Sequence, residues 1–225
     1  MASHQYYPPG VHLPHFVANE TSVVSLIAQF GVLWAAFLGG GFLIIRRVRP
    51  TASRSDKLAF VWMSLTGFIH LFFEAYFVIH HEPLAGFQTL FGQLWKEYSL
   101  SDSRYLTSDA FLVCMEAITA FCWGPLAFFL AYSIAVQHPA RHAIQLLMST
   151  GQVYGDILYY GTSLFDHYVH GVSYCRPEAY YFWFYYFFFN FIWMFVGSYY
   201  MKQSVVEIYK VFKKAQESES LRKRN

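Results

Sequence analysis

The chain has 225 residues, of which 56% are apolar and only 13% are charged. Soluble domains carry about 25% charged residues, so this composition argues against a water-soluble globule. The net charge of +2 is small, and the basic residues lie in loops and in the tail, which argues against a nucleic-acid-binding protein. Three cysteines are too few for a disulfide framework, and their spacing is not that of zinc ligands.

Five apolar segments are each long enough to cross a bilayer as a helix, which takes about 20 residues. None shows the alternation of a strand, and helix is the conformation that satisfies backbone hydrogen bonds in lipid. The sequence therefore predicts an all-α integral membrane protein, a bundle of five transmembrane helices. The segments are Val23–Ile45, Leu58–Ile79, Ala110–Val136, Ala143–Leu164 and Ala179–Met201.

Most of the 16 Lys and Arg residues fall in the first connection, the third connection and the tail. Cytoplasmic loops carry such an excess, so the N-terminus is predicted outside the cytosol and the tail inside it. The chain divides into a non-cytosolic N-terminal segment (1–22), a transmembrane domain (23–201) and a basic cytosolic tail (202–225). The last four residues, 222–225, are either a dibasic retrieval signal or an anchor at the membrane surface.

The second predicted span carries an ionisable pair, His70 and Glu74. Four residues turn a helix by about 400°, so both side chains lie on one face, one above the other. A carboxylate stabilises the charged form of a neighbouring imidazole in a dry pocket. The pair is therefore either a proton reservoir or a buried hydrogen-bonded pair that fixes the packing of helices.

In the third predicted span, Glu116 and Trp123 are nearly superposed on one helix face, with Thr119 beside them. A charge at the bilayer centre costs at least about 2.5 kcal/mol, so an intramembrane Glu is a functional candidate. Glu116 is either the partner of a cation or a protonated group that hydrogen-bonds a neighbouring helix. Gly124 and Pro125 predict a kink, because proline removes a backbone donor.

The fifth predicted span has no charge but a stripe at helical spacing, formed by Trp183, Tyr186, Asn190 and Trp193. Such a stripe is either core packing or the wall of a pocket. The amide of Asn190 favours a pocket, because lipid offers it no hydrogen-bond partner. Trp193 presents a π-face that attracts cations.

The fourth predicted span places Gln152 and Asp156 on one helix face, and the glycines at 151 and 155 let helices approach closely. Asp156 is either a structural residue or a support for neighbouring site residues. Together, the intramembrane polar residues predict one acidic, aromatic-walled cavity between helices.

The predicted cavity contains a proton source and groups that stabilise a cation, but no serine nucleophile with its base. A metal site formed by His70, Glu74 and Glu116 is disfavoured, because membrane hydroxylases with two irons need many more histidines, and no cofactor is expected. A proton-coupled transporter is also a weaker interpretation. Its charges would form a path across the bilayer, whereas these three groups are predicted to cluster at one pocket.

Eight motifs run in order from about residue 60 to residue 195. They are Gly67-Phe68-Ile69-His70 with Glu74, Leu94-Trp95-Lys96-Glu97-Tyr98, Asp102-Ser103-Arg104-Tyr105, Val113-Cys114-Met115-Glu116 with Thr119, Trp123-Gly124-Pro125-Leu126, Gln137-His138-Pro139, Gly151-Gln152-Val153-Tyr154-Gly155-Asp156, and Tyr181-Phe182-Trp183-Phe184-Tyr185 followed by Asn190 and Trp193. In these motifs the chain resembles the emopamil-binding-protein family of 3β-hydroxysteroid Δ8,Δ7-isomerases, within the EXPERA-domain group.

The resemblance implies an isomerase of sterol biosynthesis that needs no cofactor. A proton would add at C9, a carbocation would form at C8, and a proton would leave C7, which moves the double bond from C8=C9 to C7=C8. The resemblance also implies a homodimer in the membrane of the endoplasmic reticulum and nuclear envelope. Such a protein binds hydrophobic cationic amines, including drugs, because they mimic the carbocation.

The same resemblance implies roles for individual residues. His70 and Glu74 would transfer protons, with acid and base unassigned between them and Glu116. The implied catalytic residues are His70, Glu74, Glu116, Asn190 and Trp193, of which Glu116 and Trp193 would stabilise the cation and Asn190 would orient the carboxylates. The implied substrate-binding residues are Tyr105, Thr119, Trp123, Trp183 and Tyr186.

The alternative function is a non-catalytic sterol or amine receptor of the same fold. Sibling branches of the family lack isomerase activity yet share the His/Glu pair, the Glu of the third span and the Asn/Trp pair. The two functions share the cavity and differ only in turnover.

Overall fold

The computed structural model describes residues 4–223, and this range contains helices, turns and loops but no strand. The predicted all-α class is therefore confirmed. Residues 224 and 225 of the predicted retrieval signal lie outside the described range. The helices longer than eight residues are α1 (Val23–Val48), α2 (Arg54–His80), α3 (Leu90–Tyr98), α4 (Ala110–Ala135), α5 (Arg141–Phe165) and α6 (Phe189–Arg222).

Every segment that was predicted to cross the membrane is helical. α1, α2 and α4 are long and apolar enough to do so. α5, with 25 residues, and α6, with 34, exceed the necessary length. α5 is more polar, however, and α6 continues far into the charged tail. Crossing the membrane five times therefore stays a prediction.

Most helices begin at a residue whose side-chain oxygen caps them. Such an oxygen accepts a hydrogen bond from a backbone N–H of the first turn, which has no partner within the helix. The four caps of this kind precede α1 to α4 and are Ser22, Ser53, Thr89 and Asp109.

Both α2 and α4 contain a π-helical turn among their polar residues, at Ile69–Glu74 and at Thr119–Trp123. In α4, the N–H of Gly124 donates to the carbonyl of Thr119, five residues back. Pro125 follows, and it has no N–H to continue the α-helical pattern. A π-helical turn therefore lies directly before Gly124 and Pro125, where the sequence predicts a kink.

The two π-helical turns pack against each other. Glycines allow this approach: a methyl group on Gly124 would lie 3.0 Å from Leu71, and one on Gly67 would lie 2.9 Å from the ring of Phe128. α2 and α4 are thus held together along the stretches that carry the ionisable residues.

The segment before α1 folds over α3. The hydroxyl of Tyr6 donates to the carbonyl of Lys96 at 2.9 Å, and the ammonium of Lys96 donates to the carbonyl of Val17 at 2.7 Å. Burial lowers the pKa of Lys96 to about 8. Segment 4–22 therefore forms a cap with α3 at one end of the bundle.

A buried ion pair fixes the turn that follows α3. Arg104 is only 2% exposed, and its guanidinium donates to the carboxylate of Asp102 at 2.6 to 3.1 Å. A third donor reaches the hydroxyl of Thr162 on α5 at 2.9 Å, and the rings of Tyr159 and Tyr174 lie 5.3 and 5.2 Å from the guanidinium carbon. The pair fastens this turn to α5.

A second ionic cluster closes the other end of the bundle. Asp56, near the start of α2, accepts from Arg49 at 3.0 Å and from Arg141 at 2.6 Å. Since Arg49 follows α1 and Arg141 begins α5, this carboxylate joins three helices at one level.

The contact between α4 and α5 predicts a test of packing. A methyl group on Gly151 would lie 2.5 Å from the indole of Trp123. We expect Gly151→Ala to lower the free energy of unfolding by about 1–3 kcal/mol, because overpacking forces the indole aside. Thermal unfolding of the purified protein in detergent measures this.

The matched control is Gly39→Ala in α1, where an added methyl group would meet nothing within 4 Å. Alanine is the better helix former by about 1 kcal/mol, so this variant should unfold at the same or a higher temperature. Equal losses in the two variants would contradict the tight contact at Gly151.

Candidate active site

The π-helical turn of α2 holds the imidazole of His70 between two partners. Its Nδ1 lies 2.6 Å from Oε2 of Glu74, and its Nε2 lies 3.3 Å from the amide nitrogen of Gln152 on α5. His70 is only 5% exposed. The predicted pairing of His70 with Glu74 is present, and both ring nitrogens are engaged.

The carboxyl group of Glu116 is held by two hydroxyl donors. Tyr105 donates to Oε1 at 2.9 Å, and Thr119 donates to Oε2 at 3.0 Å. Burial raises the pKa of Tyr105, with a further increase from the neighbouring Glu116, so the phenol keeps its proton and remains a donor. Glu116 is 6% exposed and is therefore fixed in one orientation.

The carboxyl groups of Glu74 and Glu116 are neighbours, and they repel each other when both are charged. His70 and Glu116 are both buried, which strengthens the interaction between charges. A proton or a cation placed beside them therefore lowers the energy of the site.

Asn190 and Trp193 reach the same site from α6. The indole of Trp193 lies 5.5 Å from the imidazole of His70, measured between ring centres, at an angle of 30°. The Asn190 amide donates to the hydroxyl of Tyr98 at 3.0 Å and to the carbonyl of Tyr186 at 2.6 Å. Asn190 was predicted to orient the carboxylates, but neither of these bonds goes to a carboxylate.

These side chains line one cavity of about 420 Å³. Pockets for small ligands typically measure about 300–1,000 Å³, so the cavity is large enough for one. Three carboxyl groups face it, those of Glu74, Glu116 and Asp156. The walls between them are formed by Tyr105, Phe111, Cys114, Met115, Ile118, Thr119, Trp123, Tyr154, Leu158, Tyr159 and the glycines at 151 and 155.

All five predicted catalytic residues line this cavity, together with Tyr105, Thr119 and Trp123. Trp183 and Tyr186 do not. Trp183 is 60% exposed, and Tyr186 is buried against the hydroxyl of Ser163. The cause is the π-helical stretch Tyr181–Phe188, which changes the helical phase on which the predicted stripe was based.

The contact of Gln152 with His70 was not predicted. The sequence places Gln152 on the same helix face as Asp156, but it does not indicate which helix they meet. The buried Oδ2 of Asp156 has no hydrogen-bond partner within residues 4–223. The glycines at 151 and 155 were the one sign in the sequence that this face of α5 packs closely against another helix.

Within the part of the chain that the structure describes, no three His, Cys, Asp or Glu side chains are arranged to share a metal ion.

Known proteins resemble the chain over most of its length. A guinea pig (Cavia porcellus) protein named 3-beta-hydroxysteroid-Delta(8),Delta(7)-isomerase is 36% identical over 207 residues, which cover 92% of this chain and 89% of the relative. The rat (Rattus norvegicus) protein of the same name is 39% identical over 198 residues, 86% of this chain and 83% of the relative.

A plant relative from Ailanthus altissima, named protoglabretal synthase, is 30% identical over 169 residues, which cover 74% of this chain and 76% of the relative. The profile of the EXPERA family, the expanded EBP superfamily, matches residues 90–204. The resemblance deduced from the motifs is confirmed, and the chain belongs to the EXPERA family.

Proposed function

We propose that this protein is a 3β-hydroxysteroid Δ8,Δ7-isomerase of sterol biosynthesis. The observation that carries the proposal is the convergence of His70, Glu74, Glu116 and Trp193 on one cavity. The names of the guinea pig and rat relatives, which match most of the chain, support the same reaction.

In the proposed reaction, one proton adds to the sterol and a different proton leaves it. An acid of the site donates a proton to C9, and the electron pair of the C8=C9 bond forms the new C9–H bond, which leaves a cation at C8. A base then takes a proton from C7, and the electrons of that C–H bond form C7=C8. No proton or electron is gained overall, so side chains that transfer protons are sufficient.

His70 and Glu74 are the proposed proton-transfer pair. The short contact between Nδ1 and the carboxylate holds the ring in one orientation, which leaves Nε2 beside the cavity and next to Gln152. The amide of Gln152 donates to a neutral Nε2 and, after rotation, accepts from a protonated one. Gln152 thus supports the imidazole in both of its protonation states.

Glu116 and Trp193 stabilise the cation in this proposal. A carboxylate fixed by Tyr105 and Thr119 needs no reorganisation when the positive charge develops, and such preorganised groups contribute several kcal/mol in a dry site. The indole face of Trp193 adds a cation–π attraction. Asn190 positions Tyr98, whose ring packs 5.6 Å from that of Tyr105.

A hydrophobic amine in its charged form has the shape and charge of the sterol cation. We therefore propose that the cavity also binds cationic amphiphiles, including drugs, as transition-state analogues are bound. The two neighbouring carboxyl groups and the indole supply the attraction.

We also propose five membrane crossings with the N-terminus outside the cytosol and the C-terminus inside. The support is the gathering of basic residues at one end of the bundle, where Arg49 and Arg141 meet Asp56 and where the Lys-rich end of α6 begins. Family membership supports a homodimer in the endoplasmic reticulum.

The reaction itself is tested with purified protein and a Δ8 sterol in deuterated water. We expect the Δ7 isomer with one deuterium at C9, because the added proton comes from a group that exchanges with solvent. Mass spectrometry and NMR of the product measure this. A folded preparation that binds the sterol without converting it would reject the isomerase and favour the non-catalytic receptor.

The charge of Glu116 is tested with a matched ligand pair, a hydrophobic tertiary amine and its analogue with carbon in place of nitrogen. Glu116→Gln should weaken binding of the amine at least about tenfold, since a bond to a charged group contributes about 1.5–3 kcal/mol. Binding of the neutral analogue should be unchanged. Glu207→Gln, at an exposed position in the middle of α6, is the control. Equal losses for both ligands would contradict the role in charge stabilisation.

The proton path is tested with His70→Ala. We expect kcat to fall by about 10²- to 10⁴-fold, the usual contribution of a positioned acid or base. Amine binding should persist, because both carboxyl groups remain. Exposed His12 gives the control variant His12→Ala. A His70→Ala enzyme with the wild-type kcat would remove this residue from the proton path.

A further inference from the structure

α4 and α5 separate progressively along their length. A methyl group on Gly151 would lie 2.5 Å from Trp123, and one on Gly155 would lie 4.0 Å from the sulfur of Met115. The second half of α4, Gly124–Ala135, packs against α5, whereas its first turns, Ala110–Ile118, make few contacts with α5. The two helices therefore form a V that is closed at Gly151 and open toward the start of α4.

A cleft of about 450 Å³ lies in the open part of the V. It borders the cavity of the candidate active site, since Phe111 of α4 and Leu158 of α5 line both. Gly161 forms part of its wall, so no side chain fills the cleft there. The cavity and the cleft therefore lie next to each other between α4 and α5.

Beyond its apolar junction with the cavity, formed by Phe111 and Leu158, the cleft is lined by four polar side chains together with Phe165 and Gly161. These polar side chains are Arg104, Asp109, Thr162 and Asp166. The hydroxyl of Thr162 accepts from Arg104 at 2.9 Å and donates to the carbonyl of Tyr159 at 3.2 Å, which leaves one lone pair. A ligand that extends from the cavity meets hydrogen-bonding groups only after it passes this apolar junction.

Asp109 offers the best acceptor in the cleft. One carboxylate oxygen caps α4 by accepting from the N–H of Leu112 at 3.0 Å. The other makes no hydrogen bond within residues 4–223 and is available to a hydroxyl donor. Asp109 precedes Glu116 by seven residues, so the two residues are about 10 Å apart along the axis of α4.

We propose that this cleft is the subsite for the 3β-hydroxyl of the sterol, which Asp109 and Thr162 bind. The inference rests on the proposed function and adds the orientation of the substrate to it. A sterol has one polar group at the far end of ring A and its Δ8 bond in the neighbouring ring. With the hydroxyl at Asp109, ring A passes between Phe111 and Leu158, and the double bond reaches the level of Glu116.

The hydrocarbon side chain of the sterol is a less suitable occupant, because it would place apolar groups beside Arg104, Asp109 and Asp166. The 3β-hydroxyl both donates and accepts, which matches an available carboxylate oxygen and the remaining lone pair of Thr162. Polarity therefore selects which end of the substrate lies in the cleft.

The experiment compares equilibrium binding of two ligands, a 3β-hydroxy Δ8 sterol and the same sterol with hydrogen in place of the hydroxyl. Wild type should prefer the hydroxysterol about tenfold, as expected for one hydrogen bond to a charged group. Asp109→Ser should remove most of this preference, because serine still caps α4 but does not reach the cleft. Asp109→Asn keeps the cap with its single oxygen and replaces the free carboxylate oxygen with an NH2 donor, which the sterol hydroxyl can accept from, so it should retain part of the preference without the contribution of the charge. Thr162→Val should reduce it by a smaller factor.

The thermal midpoint of each variant is measured first, and Gly39→Ala serves as the folding control. Gly161→Leu fills the cleft without meeting any protein atom at its Cβ, so it should fold normally and weaken binding of the hydroxysterol more than tenfold. A sterol with a truncated side chain should be affected equally. If truncation instead restored binding to Gly161→Leu, the side chain would occupy the cleft and the proposal would be overturned.

Binding and turnover separate this inference from the proposed function. A wild type that binds the hydroxysterol preferentially but yields no Δ7 product would overturn the isomerase and leave the hydroxyl subsite supported. A wild type that isomerises both ligands with equal affinity, or an unchanged preference in folded Asp109→Ser and Thr162→Val, would overturn the subsite and leave the isomerase standing.

Discussion

The hydrogen bond between His70 and Glu74 is the interaction on which the site depends, because it brings an ionisable pair into an apolar bundle. Neither group would be stable there alone, since a buried charge without a partner is expensive. Gln152 occupies the other imidazole nitrogen, and Trp193 packs near the ring. α2, α5 and α6 therefore converge on one imidazole, and the cavity forms around it.

Glu116 depends on a different part of the chain. Its donor Tyr105 lies in the turn that Asp102 and Arg104 fasten to α5. A loop outside the bundle therefore sets the orientation of a carboxyl group inside it. The buried pair of Asp102 and Arg104 therefore supports a carboxyl group of the candidate site through Tyr105. Although burial alone lowers the pKa of Arg104, the adjacent Asp102 raises it above its ordinary value, so the guanidinium stays charged.

Helical spacing was sufficient to predict that His70 and Glu74 share one face of α2. Their convergence with Glu116 was expected for another reason, because an ionisable residue in an apolar segment needs polar partners. The same spacing misplaced Trp183, since the amino-acid pattern carries no sign of the π-helical stretch that rotates it outward. The contact between Gln152 and His70 depends on how two helices meet, which periodicity within one helix does not specify. The cleft beside Gly161 could not be predicted from periodicity for the same reason, because a gap between two helices leaves no pattern in the sequence of either helix.

The π-helical turns also have an evolutionary consequence. Each such turn amounts to one extra residue accommodated in an otherwise regular helix, and these features occur frequently at functional sites. Loss of a single codon between His70 and Glu74 would restore the regular helix and leave the rest of α2 in phase, but the two side chains would then be three residues apart instead of four. A descendant with that deletion would keep its bundle while the ionisable pair changed its geometry, so the proposed catalysis and the architecture can be lost separately in this lineage.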